Sequence, residues 1–178
     1  YDINDWHALF MATYQQALMA GAKIIITGGE PLLQQPALVE WQRLFSDPVL
    51  VEVETNGTIL PFAELLTWVN QWNVSPKLSN SGETKLKRWH NDVINFYLNE
   101  SCAVFKFVVK EEADIEEIFT AIPAIKQLPL ERKYLMPAAD NRDALMDLYP
   151  KVIDWVKIHG FTLGQRLHID IWNQKTGV

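Results

Sequence analysis

A single cysteine, Cys102, is all the thiol this 178-residue chain carries. That excludes an intrachain disulfide and any multi-cysteine metal site built from these residues alone. Basic residues are also short: 16 Lys and Arg against 22 Asp and Glu give a net charge of -6. Phosphate backbones are held by clustered Lys and Arg, so a nucleic-acid groove is disfavoured as the main function. No apolar run approaches the length of a membrane span and no signal peptide is visible, which makes a cytoplasmic protein the expectation. Internal repeats, low-complexity tracts and an interdomain linker are absent too, so residues 1–178 are expected to form one domain.

What is present argues for a folded globule. The apolar fraction is 48% and there are 7 Trp, enough to bury a sizeable core. Helical and strand-like spacing alternate along the chain. A helix is predicted from near Trp6, capped by Asn4 or Asp5 and closed at Gly21. A strand over 23–27, a helix from Pro36 to Phe45, a strand over 49–54 and a short helix over 62–70 follow. Trp72–Ser75 reads as a brief strand and 77–84 as a polar working loop. A helix over 86–98, a strand over 103–109, a helix opened by a capping box at Asp114–Glu117, and a strand over 132–136 come next. A long helix ends at Gly160, and Leu167–Trp172, alternating apolar and polar, reads as the last strand.

Such alternation predicts a parallel sheet with right-handed crossovers. Six strands are too few for a closed eight-stranded barrel, so the expected class is α/β with an open, partial barrel. A helix that precedes the first glycine-ended strand further predicts a strand before Tyr1, with an exposed sheet edge where it is missing.

The most informative stretch is Ile24-Ile-Ile-Thr-Gly-Gly-Glu-Pro31. A short β-branched strand stops at paired glycines, which permit φ > 0 and leave backbone polar groups uncovered. Pro31 biases Glu30 toward an extended conformation. The outcome is a backbone cradle beside a carboxylate, at the sheet edge where α/β proteins bind ligands. Other strand ends offer Glu54-Thr55-Asn56, Ser75-Pro76-Lys77, Lys106 to Lys110, Met136-Pro137 and, on the expected last strand, Trp172-Asn173. Together they predict a polar mouth of ligand size.

Glu54, directly before Thr-Asn-Gly, is read as functional, whereas Glu52 is read as a solvated acid. Lys106, alternating with Phe105 and Phe107, is either a ligand contact or an outward charge, since an unpaired buried charge is costly. Met136-Pro137 is either core packing or the lining of an adenine site. His7, His90 and His159 are read as solvated. His168, opposite in face to its strand neighbours, is the candidate histidine, with a structural histidine as the alternative. Cys102 is read as a core residue.

The string Thr27-Gly-Gly-Glu-Pro31 resembles the motif by which radical S-adenosylmethionine (SAM) enzymes hold the amino group of SAM. Glu54-Thr-Asn-Gly-Thr58, Ser75-Pro-Lys-Leu-Ser-Asn-Ser-Gly82, Lys106-Phe-Val-Val109, Leu135-Met-Pro137 and the ending Leu167-His-Ile-Asp-Ile-Trp-Asn173 to Gly177-Val178 narrow the resemblance to the 7-carboxy-7-deazaguanine synthase family of queuosine biosynthesis. The resemblance implies a radical SAM lyase. Such an enzyme turns 6-carboxy-5,6,7,8-tetrahydropterin into 7-carboxy-7-deazaguanine, releasing ammonia, with SAM, a 4Fe-4S cluster and Mg2+.

It also implies roles. Gly28, Gly29 and Glu30 would hold the methionyl part of SAM, Ser75 and Lys77 its ribose or carboxylate, and Met136 and Pro137 its adenine, with Lys106 a further contact. Thr27, Gly29, Glu54, His168 and the terminal carboxylate of Val178 would contact the pterin. The family further implies a homodimer and a reductant such as flavodoxin. It departs in one respect: the family's three-cysteine cluster loop and its magnesium-binding threonine would fall before Tyr1. The chain is therefore expected to be an amino-terminally truncated copy, inactive by itself. A cluster-free SAM- or nucleoside-binding remnant or partner subunit, and a different radical SAM enzyme such as a glycyl-radical activase, are the alternative readings.

Overall fold

The computed structural model of the chain describes residues 2–175. It is an α/β fold with six parallel strands, ordered across an open sheet as they occur along the chain. The chain divides into two compact units. One comprises the residues up to Thr55 together with Ile59–Asn73; the other comprises Asn56–Thr58 and the chain from Val74 onward.

The first unit opens with helix α1 (Ile3–Met19), whose amino end is capped by Asp2, its carboxylate accepting the Asn4 N–H at 2.7 Å. The cap therefore lies before the expected Asn4 or Asp5. Strand β1 (Lys23–Ile26) pairs in parallel with β2 (Leu50–Thr55), Ile24 opposite Val51 and Ile26 opposite Val53. Between them lie a 3-10 turn (Pro31–Gln34) and helix α2 (Gln35–Gln42). Helix α3 (Ala63–Trp68) leads into β3 (Gln71–Val74). Parallel strands covered by helices on both sides bury both faces, but here Val51, Val53 and Thr55 are buried while Leu50 and Glu54 on the opposite face are exposed.

Aromatic rings fill the interval between α1 and α2. Trp41 takes edge contacts from Trp6 at 4.7 Å, Phe45 at 5.0 Å and Phe10 at 5.3 Å between centroids, the edge-to-face geometry that the ring quadrupole favours. The Trp41 indole N–H donates to His7 Nδ1 at 3.1 Å. His7 is thus a half-buried acceptor rather than a solvated surface residue.

The second unit carries β4 (Ala103–Val109), β5 (Lys133–Pro137) and β6 (Thr162–Leu163). In β4 every second residue is buried, and Phe105, Phe107, Leu135, Ile118 and Leu145 form the centre of the core. The helices are α4 (Lys85–Arg88), α5 (Asn91–Asn99), α6 (Glu112–Ala121), α7 (Arg142–His159) and α8 (Leu167–Trp172).

Three expectations are corrected here. The helix expected over 86–98 is broken at Trp89, whose extended backbone separates α4 from α5. The capping box belongs to Glu111 and Asp114, each accepting from the other's backbone N–H, so α6 starts earlier than expected. Most consequential, Leu167–Trp172 is a helix, and the last strand is Thr162–Leu163, whose Leu163 pairs with Leu135. Arg142 explains the helix physically: its guanidinium donates to the carbonyls of Asp170 at 3.0 Å and Ile171 at 3.1 Å, satisfying helix-end acceptors that water would otherwise hold. Among the described residues, no helix is long and apolar enough to cross a membrane.

Candidate functional site

In the first unit the candidate residues gather at the carboxyl ends of β1 and β2. Gly28 has φ +141°, a conformation that favours glycine, and an added Cβ at Gly28 or Gly29 would meet no atom within 4 Å. The turn therefore needs glycine for its backbone shape, and it leaves main-chain groups bare. Glu30 is extended, as the following proline predicts, at φ -139° and ψ 106°. Its carboxylate accepts the Leu32 N–H at 3.1 Å and the Thr55 hydroxyl at 2.9 and 3.0 Å. The acid of the motif thus secures the turn it sits in.

Beside it the Thr27 hydroxyl donates to Glu54 Oε2 at 3.1 Å. Thr27 and Glu54, singled out separately in sequence, are hydrogen-bonded neighbours. Glu54 is exposed. Glu52, read as solvated, instead pairs with Lys23 Nζ at 2.5 Å and accepts from the buried Asn73 amide at 3.1 Å. It joins three strands as a structural acid.

In the second unit Ser75 and Lys77 line a cavity of about 500 Å³ at the ends of β4 and β5, within the size range of small-molecule sites. Its apolar wall includes Val108, Ala138, Ala139 and Ala144, and its charged residues are Lys77, Lys110, Asp140 and Arg166. The Ser75 hydroxyl donates to the Lys106 carbonyl at 2.9 Å, and the Asn80 amide donates to the Val108 carbonyl at 2.9 Å. The polar loop is thus laced to β4.

A buried ion pair anchors that loop. Arg88, 8% exposed, lies 2.8 Å from Glu117 Oε1 and also donates to the carbonyls of Lys77 and Glu83. Glu117 Oε2 accepts the Ser79 N–H at 2.9 Å and the Ser79 hydroxyl at 2.6 Å. Burial pushes the Glu117 carboxyl up, but the bonds from Ser79 and Arg88 outweigh it and hold the group below its ordinary value. Arg88 and Glu117 were not legible as a pair, because the contact joins residues from two distant stretches of chain.

Met136 and Pro137 end β5 just before the cavity-lining Ala138–Asp140. Pro137 is buried, and Met136 is half-buried on the opposite face, packed over Gly164. Lys106 lies half-buried on the face away from Phe105 and Phe107, beside Tyr134 in register, and does not line the cavity. His168 is exposed in the first turn of α8, not on a strand, and the cavity lining does not include it. Cys102 is half-buried, and burial raises its thiol above the ordinary value, with Glu100 adding to the rise. Val178 lies outside the described residues.

No protein-family model matches the chain. Curated relatives do. Over 162 residues the chain is 35% identical to the 7-carboxy-7-deazaguanine synthase of Pyrobaculum aerophilum, covering 90% of this chain and 70% of that protein. It is 28% identical over 170 residues to the protein of the same name from Halobacterium salinarum, covering 84% of this chain and 65% of the relative. The Hyperthermus butylicus protein of that name is 27% identical over 164 residues, with 89% and 67% covered.

Proposed function

The chain belongs to the 7-carboxy-7-deazaguanine synthase family, and from this premise we propose that it supplies the SAM and substrate contacts of a cytoplasmic radical SAM carbon–nitrogen lyase. The reaction is the conversion of 6-carboxy-5,6,7,8-tetrahydropterin to 7-carboxy-7-deazaguanine with loss of ammonia, a step of queuosine biosynthesis. Gly28, Gly29 and Glu30 hold the methionyl end of SAM. Ser75 and Lys77 take its ribose or carboxylate, Met136 and Pro137 its adenine, with Lys106 a further contact. Thr27, Gly29, Glu54, His168 and Val178 contact the pterin, and the working form is a homodimer served by a reductant such as flavodoxin.

The observation that carries this reading is the bare turn at Gly28-Gly29 beside the Thr27–Glu54 pair. An ammonium group is met by uncovered backbone acceptors, and the N–H donors of a pterin edge are met by a carboxylate. SAM therefore fits the residues present. The 4Fe-4S cluster does not: the chain has one cysteine, and among the described residues no three His, Cys, Asp or Glu are placed to hold a metal. These 178 residues supply contacts to SAM and substrate and not to the cluster, and the chain by itself is expected not to turn over.

The same single cysteine favours a second reading, a SAM- or nucleoside-binding protein that serves a partner without catalysis. Isothermal titration tests what the two share. The chain should bind SAM, and Gly28→Ala should weaken binding by forcing a side chain into a φ that costs about 1–2 kcal/mol. Undetectable binding of SAM at millimolar concentration would remove both readings.

A further inference from the structure

We propose that helix α4 is a docking face for an acidic electron-carrier protein, which meets Lys85, Leu86 and Lys87 there. The inference deepens the proposed function by naming the surface its reductant uses, and it rests on that reading only for the identity of the partner.

The chain is acidic as a whole, yet residues 77–88 hold four of its 16 basic residues, Lys77, Lys85, Lys87 and Arg88, and one of its 22 acids, Glu83. Arg88 is turned inward, where it pairs with Glu117 at 2.8 Å and donates to the carbonyls of Lys77 and Glu83. Trp89, next in sequence, is buried as well. These two residues pin the short helix to its unit and leave Lys85, Leu86 and Lys87 exposed together. At 89% exposure, Leu86 is the most open large apolar side chain among the described residues. A single exposed leucine is ordinary. Its setting is not: a buried ion pair, costly to desolvate, fixes the backbone that presents it between two lysines.

The charges select the partner. Lys77, Lys85 and Lys110 have no ion pair among the described residues. Lys87 lies 4.0 Å from Glu83 with both side chains exposed, a pairing that water and salt weaken. Lys77 and Lys110 line the cavity at the ends of β4 and β5, and the Arg88 bond to the Lys77 carbonyl joins α4 to them. In the proposed function that edge of the sheet holds SAM, and a protein delivering electrons has to dock on the edge where SAM is held. Unpaired lysines steer an acidic surface toward it, and Leu86 supplies the apolar centre that a protein interface sets within a polar rim. A phosphate backbone would use the lysines but not Leu86, and a chain of net charge -6 repels a polyanion.

The test titrates flavodoxin and a [2Fe–2S] ferredoxin, both acidic one-electron carriers, into the chain and into its Lys85→Glu/Lys87→Glu and Leu86→Ser variants. At least one carrier should bind, about tenfold or more weaker in the charge reversal, with the wild-type affinity falling as salt rises. Leu86→Ser should weaken it several-fold at any salt concentration. Lys85→Gln/Lys87→Gln should fall between wild type and the reversal, and it serves if the reversal does not fold. SAM affinity should stay within about twofold in every variant, since none of the three side chains lines the cavity. In the protein expressed with any segment its gene encodes before Tyr1, dithionite-driven turnover should be unchanged by the reversal while carrier-driven turnover falls. If dithionite supports no turnover but a carrier still binds through these lysines, the enzymatic reading fails and the docking face stands. Binding by neither carrier, equal binding by wild type and variants, carrier-driven turnover that survives the reversal, or lysine-dependent binding of a tRNA transcript in place of the carriers would overturn the proposal.

Discussion

The Thr55 hydroxyl reaches both carboxylate oxygens of Glu30, at 2.9 and 3.0 Å, from the buried end of β2. The acid following the paired glycines is thereby tied to the neighbouring strand as well as to the Leu32 N–H of the turn it opens. Thr55→Val, nearly the same shape, removes the donor and leaves a partly buried carboxylate short of one partner. It should lower stability by about 1.5–3 kcal/mol in urea unfolding. Because the turn loses its anchor, SAM affinity should fall with it.

Glu54 should behave in the opposite way. Its bond to Thr27 is exposed, and exposed polar pairs contribute little to stability. Glu54→Gln should therefore leave the free energy of urea unfolding within about 0.5 kcal/mol of wild type while abolishing pterin binding, read by equilibrium dialysis. A large stability loss with intact pterin binding would make Glu54 a structural residue.

Acid should loosen the loop that carries Lys77. The Glu117 carboxyl is held below its ordinary 4.5 by Ser79 and Arg88 against the opposing effect of burial. A carboxylate with a depressed folded value stabilises fully above the unfolded value and loses that contribution as pH falls through the folded one. Stability should thus drop below about pH 4.5, and Glu117→Gln should flatten that part of the pH profile. At neutral pH the same variant leaves the 8%-exposed Arg88 without its carboxylate and should cost about 2–4 kcal/mol.

Gly164 donates its N–H to the Leu135 carbonyl at 2.8 Å, and a Cβ there would fall 2.4 Å from Met136 Cγ. Gly164→Ala should displace Met136 and cost about 1–3 kcal/mol by overpacking. If Met136 borders the adenine, methylthioadenosine binding should weaken alongside the lowered unfolding midpoint.

The fold was legible where the period was long or strict. Ala103–Val109 alternates over seven residues and is a strand buried on every second residue. The same criterion failed at Leu167–Trp172, where Leu-His-Ile-Asp-Ile-Trp alternates over only six. What decides that segment is not its own pattern but Arg142, which meets the carbonyls of Asp170 and Ile171 from the start of α7. His168 moved with it, from a strand face to an exposed helical turn.

Of the candidate site, the residues carried by contiguous strings were readable: Thr27 to Glu30, Glu54, and Ser75 with Lys77. Arg88 and Glu117 were not. Their role comes from a contact between distant segments; in sequence Arg88 looks like an ordinary solvated charge and Glu117 like the closing acid of a capping box.

The most direct test of the functional reading is anaerobic turnover by the protein expressed with any segment its gene encodes before Tyr1, reconstituted with iron and sulfide and supplied with SAM, reductant, Mg2+ and 6-carboxy-5,6,7,8-tetrahydropterin. Formation of 7-carboxy-7-deazaguanine, lost in Glu54→Gln while SAM still binds, is the predicted result. A protein that loads its cluster and cleaves SAM yet leaves the pterin unchanged would contradict it.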